Sequence, residues 1–380
     1  MRIGLVTPFF YPHPGGISEH VYFLYKNFKN LGFSVKIICP KIRKKGVDAP
    51  SDLPSEDVIR VGIPLPLLYN GSISYMTVGL PKKAKEVLKT FDFDVLHFHE
   101  PLAHPLCWSF LYSSECKNVA TFHANKKIGD YSYVKILKFF GSSILDVFDE
   151  KLSSLIAVSD AAQKVGQQFF ERDFIIVPNG VDVNRFMNAK PLKEFSNSFN
   201  ILFVGRLEPR KGIKYLIKAF KVFSKIVTDS KLLIVGGGFK AYYKSFVPSE
   251  LEEKVVFFDY APFETLPSIY ASADLCVFPA TRSESFGIVL IEAMAANKPV
   301  IATNIDGYNT VTDFGKYAYT VDPENEDQLL KALVELYFLK DKREELSVKG
   351  FQRAKEFDWS RISRRISEIY TDQSSASEVC

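Results

Sequence analysis

Cysteine is scarce in this chain and nowhere clustered. The 380 residues include five, Cys39, Cys107, Cys116, Cys276 and Cys380. None forms a C-x-x-C pair, and no His/Cys group has zinc spacing, so neither a metal site nor a disulfide scaffold is expected. Free thiols in a reducing compartment fit better. Long apolar runs are also missing. No stretch reaches about 18 apolar residues, so no transmembrane helix is expected. The N-terminus, MRIGLVTPFFYPHP, has one basic residue and an apolar run that Pro8 ends. It reads as a first strand rather than a signal peptide. No charge dominates either: 48 Lys and Arg face 44 Asp and Glu, for a net +4. That balance argues against a dedicated nucleic-acid binder. The G-x-G-x-x-G fingerprint is absent before the first helix, which disfavours a nicotinamide cofactor.

What is present is apolar and regularly spaced. Apolar residues make up 47% of the chain, and the length suggests two or three domains. Residues 2–7 read as a buried strand. From Ile17 the positions Ile17, Val21, Leu24, Tyr25, Phe28 and Leu31 fall at helical spacing, with Gly32 as the stop and SVKIIC as the next strand. VLHFHE (95–100), NVATFHA (118–124), SLIAVS (154–159) and FIIVPNG (174–180) continue as short strands between helical stretches. The polar stretch from Met187 to Asn200 breaks the pattern and reads as a linker. A second series follows: NILFVG, KLLIVGGG, KVVFFD, DLCVFPA and KPVIAT. Alternation of this kind predicts an α/β protein of two doubly wound, Rossmann-like domains, residues 1–187 and 198–358, facing across a ligand cleft.

Three motifs carry candidate chemistry. Gly15-Gly16 stands before the first helix, where backbone N–H groups can receive an anion; an ordinary turn reads equally from the same residues. SESFGIVLIEAMAANKPVIAT, 283–303, is an apolar helix and strand interrupted by Glu284 and Glu292. With the helix starting near Gly287, the N–H groups of Ser285, Phe286, Gly287 and Ile288 suit a diphosphate. The two acids suit sugar hydroxyls, or else a cap and a cation pair. GRLEPRKG, 205–212, places Arg206 and Lys211 after a strand, where fixed positive charge can neutralise a diphosphate leaving group. Together these fit a nucleotide diphospho-sugar.

SESFGIVLIE resembles the E-x7-E motif of retaining GT-B glycosyltransferases of family 4, and PHPGGISEH and GRLEPRKG resemble their Gly-Gly loop and arginine–lysine motif. Within the family, HFHEP, ATFHA, IAVSD and YNGS look most like segments of phosphatidyl-myo-inositol mannosyltransferases. The resemblance implies a GT-B fold whose C-terminal helix, about 360–380, returns to the first domain. It implies donor binding by Gly15, Gly16, Arg206, Lys211, Gly236, Glu284, Ser285, Phe286, Gly287, Ile288 and Glu292. Glu284 would hold the transferred sugar and Glu292 the ribose. His123 would lie at the reacting sugar, completing a catalytic set with Arg206, Lys211 and Glu284. Phe9, Asn70, His99 and His123 would line the acceptor side. The implied donor is GDP-mannose, the implied acceptor a phosphatidylinositol-like membrane lipid, and no cofactor is required. The chain departs from the mannosyltransferases at Phe9, where they tend to have tyrosine, and after YNGS, where ISYM lacks an arginine.

Two further segments need a reading. Asp92-Phe93-Asp94 matches the metal motif of a different transferase fold, but lies far in sequence from the phosphate residues and reads as a loop. PKKAKEVLKTF, 81–91, sets Ala84, Val87, Leu88 and Phe91 on one face and Lys82, Lys85 and Lys89 on another, with Lys83 nearby. Its narrow apolar stripe is expected to dock on the core while the lysines face anionic headgroups, extended by Arg43, Lys44 and Lys45. The expected location is the cytoplasmic face of the cell membrane. Alternatives are a UDP-sugar donor with a diacylglycerol or polysaccharide acceptor, a GT-B nucleotide-sugar epimerase, and a silent sugar-nucleotide binder.

Overall fold

The computed structural model describes residues 1–13, 15–41, 49–69, 72–78, 81–123, 142–259 and 261–372. Asn70, Arg43, Lys44 and Lys45 lie outside the described residues. The chain divides into two compact units. One holds Met1–Gly180 with the segment from Trp359 onward; the other holds Val181–Asp358.

The first unit begins with Arg2–Val6 (β1), Ser34–Pro40 (β2) and Val58–Val61 (β3). An antiparallel hairpin follows, Ile63–Tyr69 (β4) and Ser72–Val78 (β5). Val95–His99 (β6), Lys117–Phe122 (β7), Ser154–Ala157 (β8) and Ile175–Ile176 (β9) complete it. Among the described residues the parallel sheet runs β3-β2-β1-β6-β7-β8-β9. The strands are apolar because both sheet faces are covered, as parallel sheets require. The helix Gly16–Asn30 buries Val21, Tyr22, Leu24, Tyr25 and Phe28. It stops where the sequence marks it. Gly32 takes φ 83°, and the N–H of Phe33 reaches back to the carbonyl of Phe28 at 3.0 Å, closing a Schellman turn.

The second unit holds Phe199–Val204 (β10), Ser230–Val235 (β11), Val255–Phe258 (β12), Leu275–Phe278 (β13), Val300–Thr303 (β14) and Tyr319–Val321 (β15). Its sheet runs β12-β11-β10-β13-β14-β15, again parallel. Phe203, Phe220, Leu232, Ile234, Leu275 and Leu333 are at most 1% exposed and form its core. Both sheets therefore reverse their strand order beside the first strand, between β1 and β6 and between β10 and β13. In open α/β sheets ligands bind at the carboxyl ends of the strands at that point.

The division falls at Gly180–Val181, before the polar stretch read as a linker. The reason is local packing. The helix Val183–Met187 sets Phe186 edge-on to Tyr270 at 5.5 Å, and Arg185 lies 3.7 Å over the Phe263 ring. Farther on, Phe195 is buried and the N–H of Leu192 bonds Ser272 Oγ at 2.8 Å. This segment is therefore fastened to the second unit. After Asp358 the chain rejoins the first. The helix Trp359–Thr371 buries Trp359, Ile362, Ile366, Ile369 and Tyr370 against the helix Gly16–Asn30, at the spacing of one helical face. Among the described residues no helix is long and apolar enough to cross a membrane.

Asp92 and Asp94 have a structural task. Asp92 Oδ2 takes Arg2 Nη1 at 2.6 Å, and Asp94 takes Nη2 and the Arg2 backbone N–H at 3.0 and 2.7 Å. They fix the start of β1. On the helix Pro81–Phe91 the buried residues are Ala84 and Val87, while Lys82, Lys83, Lys85 and Lys89 are exposed, Lys83 bonding Glu86 at 2.8 Å. Cys39, Cys107 and Cys276 are buried free thiols.

Candidate active site

In the second unit the loops after β10 and β13 leave the sheet where its strand order reverses. The first carries Arg206 to Lys211, the second Glu284. The two loops are stitched together by backbone: the N–H of Thr281 donates to the carbonyl of Arg210 at 2.7 Å. Gly212 makes the approach feasible. It has φ 70°, and a Cβ there would sit 1.8 Å from the Pro279 carbonyl oxygen.

This junction gathers charge. Glu284, 8% exposed, receives Lys211 Nζ at 2.9 Å and Arg210 Nη1 at 2.5 Å on the same oxygen, Oε1. Arg210 also donates to the Ser283 carbonyl at 3.0 Å and, through Nε, to Glu208 Oε2 at 2.8 Å. Glu208 Oε1 in turn takes Arg206 Nη1 at 2.8 Å, leaving the Arg206 side chain 69% exposed. Burial lowers the Lys211 pKa, opposed by the Glu284 charge. Arg210 was missed in the sequence reading, although it stands inside GRLEPRKG. The reading went to the two cations of the family motif, and only the fold shows that Arg210 bridges both acids.

The helix carrying Glu292 is Ile288–Ala295. Gly287 caps it at φ 90°, with no side-chain cap. A Cβ at Gly287 would meet the buried Tyr308 ring at 2.7 Å. Phe286 is buried edge-on to Phe357 at 5.6 Å. Glu292 is 5% exposed, and its Oε2 accepts the Tyr270 hydroxyl at 2.7 Å. Tyr270 was not among the partners weighed for this acid from the sequence, which were a sugar hydroxyl and a cation. Gly236 follows β11 with a Cβ position 1.9 Å from the Gly205 carbonyl oxygen. Ser285 lies in the loop ahead of the helix.

In the first unit the equivalent strand ends carry neutral groups. His99 ends β6, and His123 follows β7. His99 Nδ1 lies 3.0 Å from His123 Nε2, and the His123 backbone N–H donates to Glu100 Oε1 at 2.5 Å. Gly15 caps the helix that starts at Gly16, and His20 extends from its second turn. The His20 ring lies 4.6 Å from that of His123, 5.2 Å from His99 and 4.9 Å from Trp359, and its Nδ1 is 2.9 Å from Asn179 Oδ1. His97 lies behind, bonded to Tyr370 and Thr121 at 2.6 Å each. Burial pushes the His20 pKa down to about 4 and that of His97 to about 3, and holds His99 and His123 well below the ordinary range. At neutral pH all four rings are uncharged. Phe9 lies half-buried beyond β1, its ring 5.6 Å from His13. His20 and His97 were missed from sequence, since a lone histidine carries no spacing signal.

The family model for Glycosyltransferase Family 4 matches residues 14–185, and that for Glycosyl transferases group 1 matches residues 184–353. The chain is 32% identical over 380 residues to a phosphatidyl-myo-inositol mannosyltransferase of Mycolicibacterium smegmatis, covering 99% of this chain and 95% of that one. It is 29% identical to the enzyme of that name from Propionibacterium freudenreichii, covering 98% and 95%. Among solved structures, sucrose-phosphate synthase from Thermosynechococcus elongatus superposes with a TM-score of 0.75 at 20% identity, covering 99% and 100% of the two chains. Anabaena HepE in complex with UDP gives 0.73 at 19%, covering 97% and 99%. The chain belongs to the family 4 glycosyltransferases of GT-B fold.

Proposed function

We propose that this glycosyltransferase moves mannose, with retention, from GDP-mannose to a phosphatidylinositol-like lipid at the inner face of the cell membrane. The observation that carries the donor side is the buried cluster of Lys211, Arg210 and Glu284 at the strand-order reversal. A carboxylate fixed by two cations keeps its geometry when sugar hydroxyls arrive. The cations then have a second, more highly charged partner in the diphosphate. Lys211 and the exposed Arg206 neutralise that diphosphate, with the N–H groups around Ser285, Phe286, Gly287 and Ile288 at the helix start. Gly236 lets backbone approach it. Glu292, oriented by Tyr270, takes the ribose.

The chemistry proposed is a front-face exchange. The bond between the anomeric carbon and the diphosphate oxygen breaks. The acceptor hydroxyl oxygen bonds to the same face of that carbon, and its proton passes to the departing phosphate. Glu284 and His123 hold the sugar at the reacting position. His99, Phe9 and Asn70 belong to the acceptor side. The reading needs no cofactor beyond the donor. Lys82, Lys83, Lys85 and Lys89 would meet anionic headgroups.

The identity to two phosphatidyl-myo-inositol mannosyltransferases supports mannose as the transferred sugar and an inositol lipid as acceptor. A second reading is a UDP-sugar donor with diacylglycerol or a saccharide as acceptor; the departures at Phe9 and ISYM bear on the acceptor alone and leave the donor site untouched. The test is transfer of radiolabelled sugar into lipid by purified protein, with GDP-mannose, UDP-glucose and UDP-N-acetylglucosamine as separate donors. Label in the organic phase from GDP-mannose, dependent on added phosphatidylinositol, is the expected result. Label from a UDP-sugar replaces the donor and acceptor. Donor turnover without any acceptor points to an epimerase.

A further inference from the structure

His20, His99 and His123 come from three elements that sequence spacing does not link. The helix Gly16–Asn30 carries the first, the end of β6 the second and the residue after β7 the third. Strand pairing holds two of them. His99 pairs with Thr121, so His123 stands two residues on, on the same face. One nitrogen from each of the three rings lies within 4.8 Å of the others. The Nε2 atoms of His20 and His99 are fully buried and have no hydrogen-bond partner among the described residues.

A buried polar atom without a partner is costly and calls for an occupant. The tautomers indicate which kind. Asn179 Oδ1 is an acceptor, so His20 must donate from Nδ1, and its Nε2 then carries a lone pair. An oxygen that fixes one ring nitrogen while the other ligates is the usual outer arrangement of metal-bound histidine. His97 is set aside as a further ligand because Tyr370 and Thr121 engage both its nitrogens; His123 Nε2 is engaged by His99 Nδ1 at 3.0 Å, a contact that ligation of His123 through Nε2 would replace. The buried Glu100 accepts the His123 backbone N–H at 2.5 Å and so holds that residue beside the other two.

We infer that His20, His99 and His123 form a site for one divalent transition-metal ion of the imidazole-preferring kind, zinc foremost, and that its occupation inhibits transfer. Three neutral nitrogens suit zinc, copper, nickel and cobalt, whereas magnesium and calcium prefer oxygen. Tetrahedral ligands about 2.0–2.1 Å from zinc stand closer together than the limit found here, so the rings draw inward on binding. The inhibition rests on the acceptor role proposed for His123. The site itself does not.

The experiment uses the full chain, stripped with EDTA and titrated with cobalt(II), whose visible absorption reports nitrogen coordination. One cobalt per chain is expected, displaced by zinc and unaffected by magnesium. His99→Gln and His20→Asn should each weaken binding at least tenfold, while His13→Asn leaves it unchanged. No uptake by the wild-type protein, or equal uptake by both variants, overturns the site. Where a variant fails to fold, imidazole nitrogen NMR of the wild-type decides. Zinc should shift His20, His99 and His123 among the six histidines. Shifts confined to other histidines refute it. Metal uptake without inhibition of transfer leaves the site standing and removes His123 from the acceptor side.

Discussion

The two units share one architecture and fill its functional corner with opposite chemistry. In each, a parallel sheet reverses its strand order beside the first strand. In the second unit that corner holds Arg206, Glu208, Arg210, Lys211 and Glu284 in a continuous chain of ion pairs. In the first it holds His20, His97, His99 and His123, all uncharged at neutral pH. The fold fixes where a ligand goes, and the residues after two strands fix what kind. Formal charge suits a diphosphate, and neutral hydrogen-bonding rings suit hydroxyls.

The largest effect should come from breaking the charged corner. Lys211→Ala removes the buried cation that holds Glu284 and that is proposed to bind the diphosphate. Turnover should fall about 10²- to 10³-fold, the cost of losing one pre-organised electrostatic contact. Arg210→Ala should cost less, because Lys211 still holds Glu284. Steady-state kinetics with the true donor decides. Near-normal turnover of Lys211→Ala would remove the corner from the reaction.

How much of this was legible in the sequence follows from the same contrast. The charged corner was readable because its parts sit in two short stretches with signals of their own. Glu284 and Glu292 interrupt an apolar helix, and Arg206 and Lys211 sit between a strand and a helix. Even so, Arg210 went unread, since one more cation beside Lys211 adds nothing to a pattern. The neutral corner was mostly illegible. His97 and His99 share one face of β6, but only strand pairing and helix docking bring His123 and His20 to them. The alternation of strands and helices gave both sheets, because buried parallel strands are apolar throughout. The boundary between the units was misplaced for a physical reason: polarity marks exposure, and the polar stretch after Met187 is exposed but anchored through Leu192 and Phe195.

The neutral corner makes a prediction that the charged one does not. His20 has its pKa pushed down to about 4 from 6.5 by burial. Between those values the unfolded chain binds the extra proton, so stability rises with pH there. The contribution is complete above pH 6.5 and is lost as pH falls toward 4. At pH 5 the loss from His20 alone is about 2 kcal/mol. Thermal unfolding of the EDTA-treated protein should therefore show a lower midpoint at pH 5 than at pH 7. His20→Asn should flatten that slope, whatever it does to the midpoint itself. A wild-type midpoint that does not move between the two pH values would mean that the rings are not buried as described.

The smallest effect concerns charge that belongs to neither corner. On the helix Pro81–Phe91 the core takes Ala84 and Val87, and the lysines are left to solvent. Lys83 differs from the others in having a carboxylate partner, Glu86, at 2.8 Å. If this face meets anionic lipid, single Lys→Ser changes at Lys82, Lys85 and Lys89 should each weaken binding to phosphatidylserine-containing vesicles about fivefold. Lys83→Ser should weaken it less, since part of its field is already answered by Glu86. Added salt should compress all four differences, because exposed charges are screened. Vesicle sedimentation at low and physiological salt measures this. Equal binding by all variants would leave these lysines as a solvated face and move the search for a membrane contact elsewhere on the first unit.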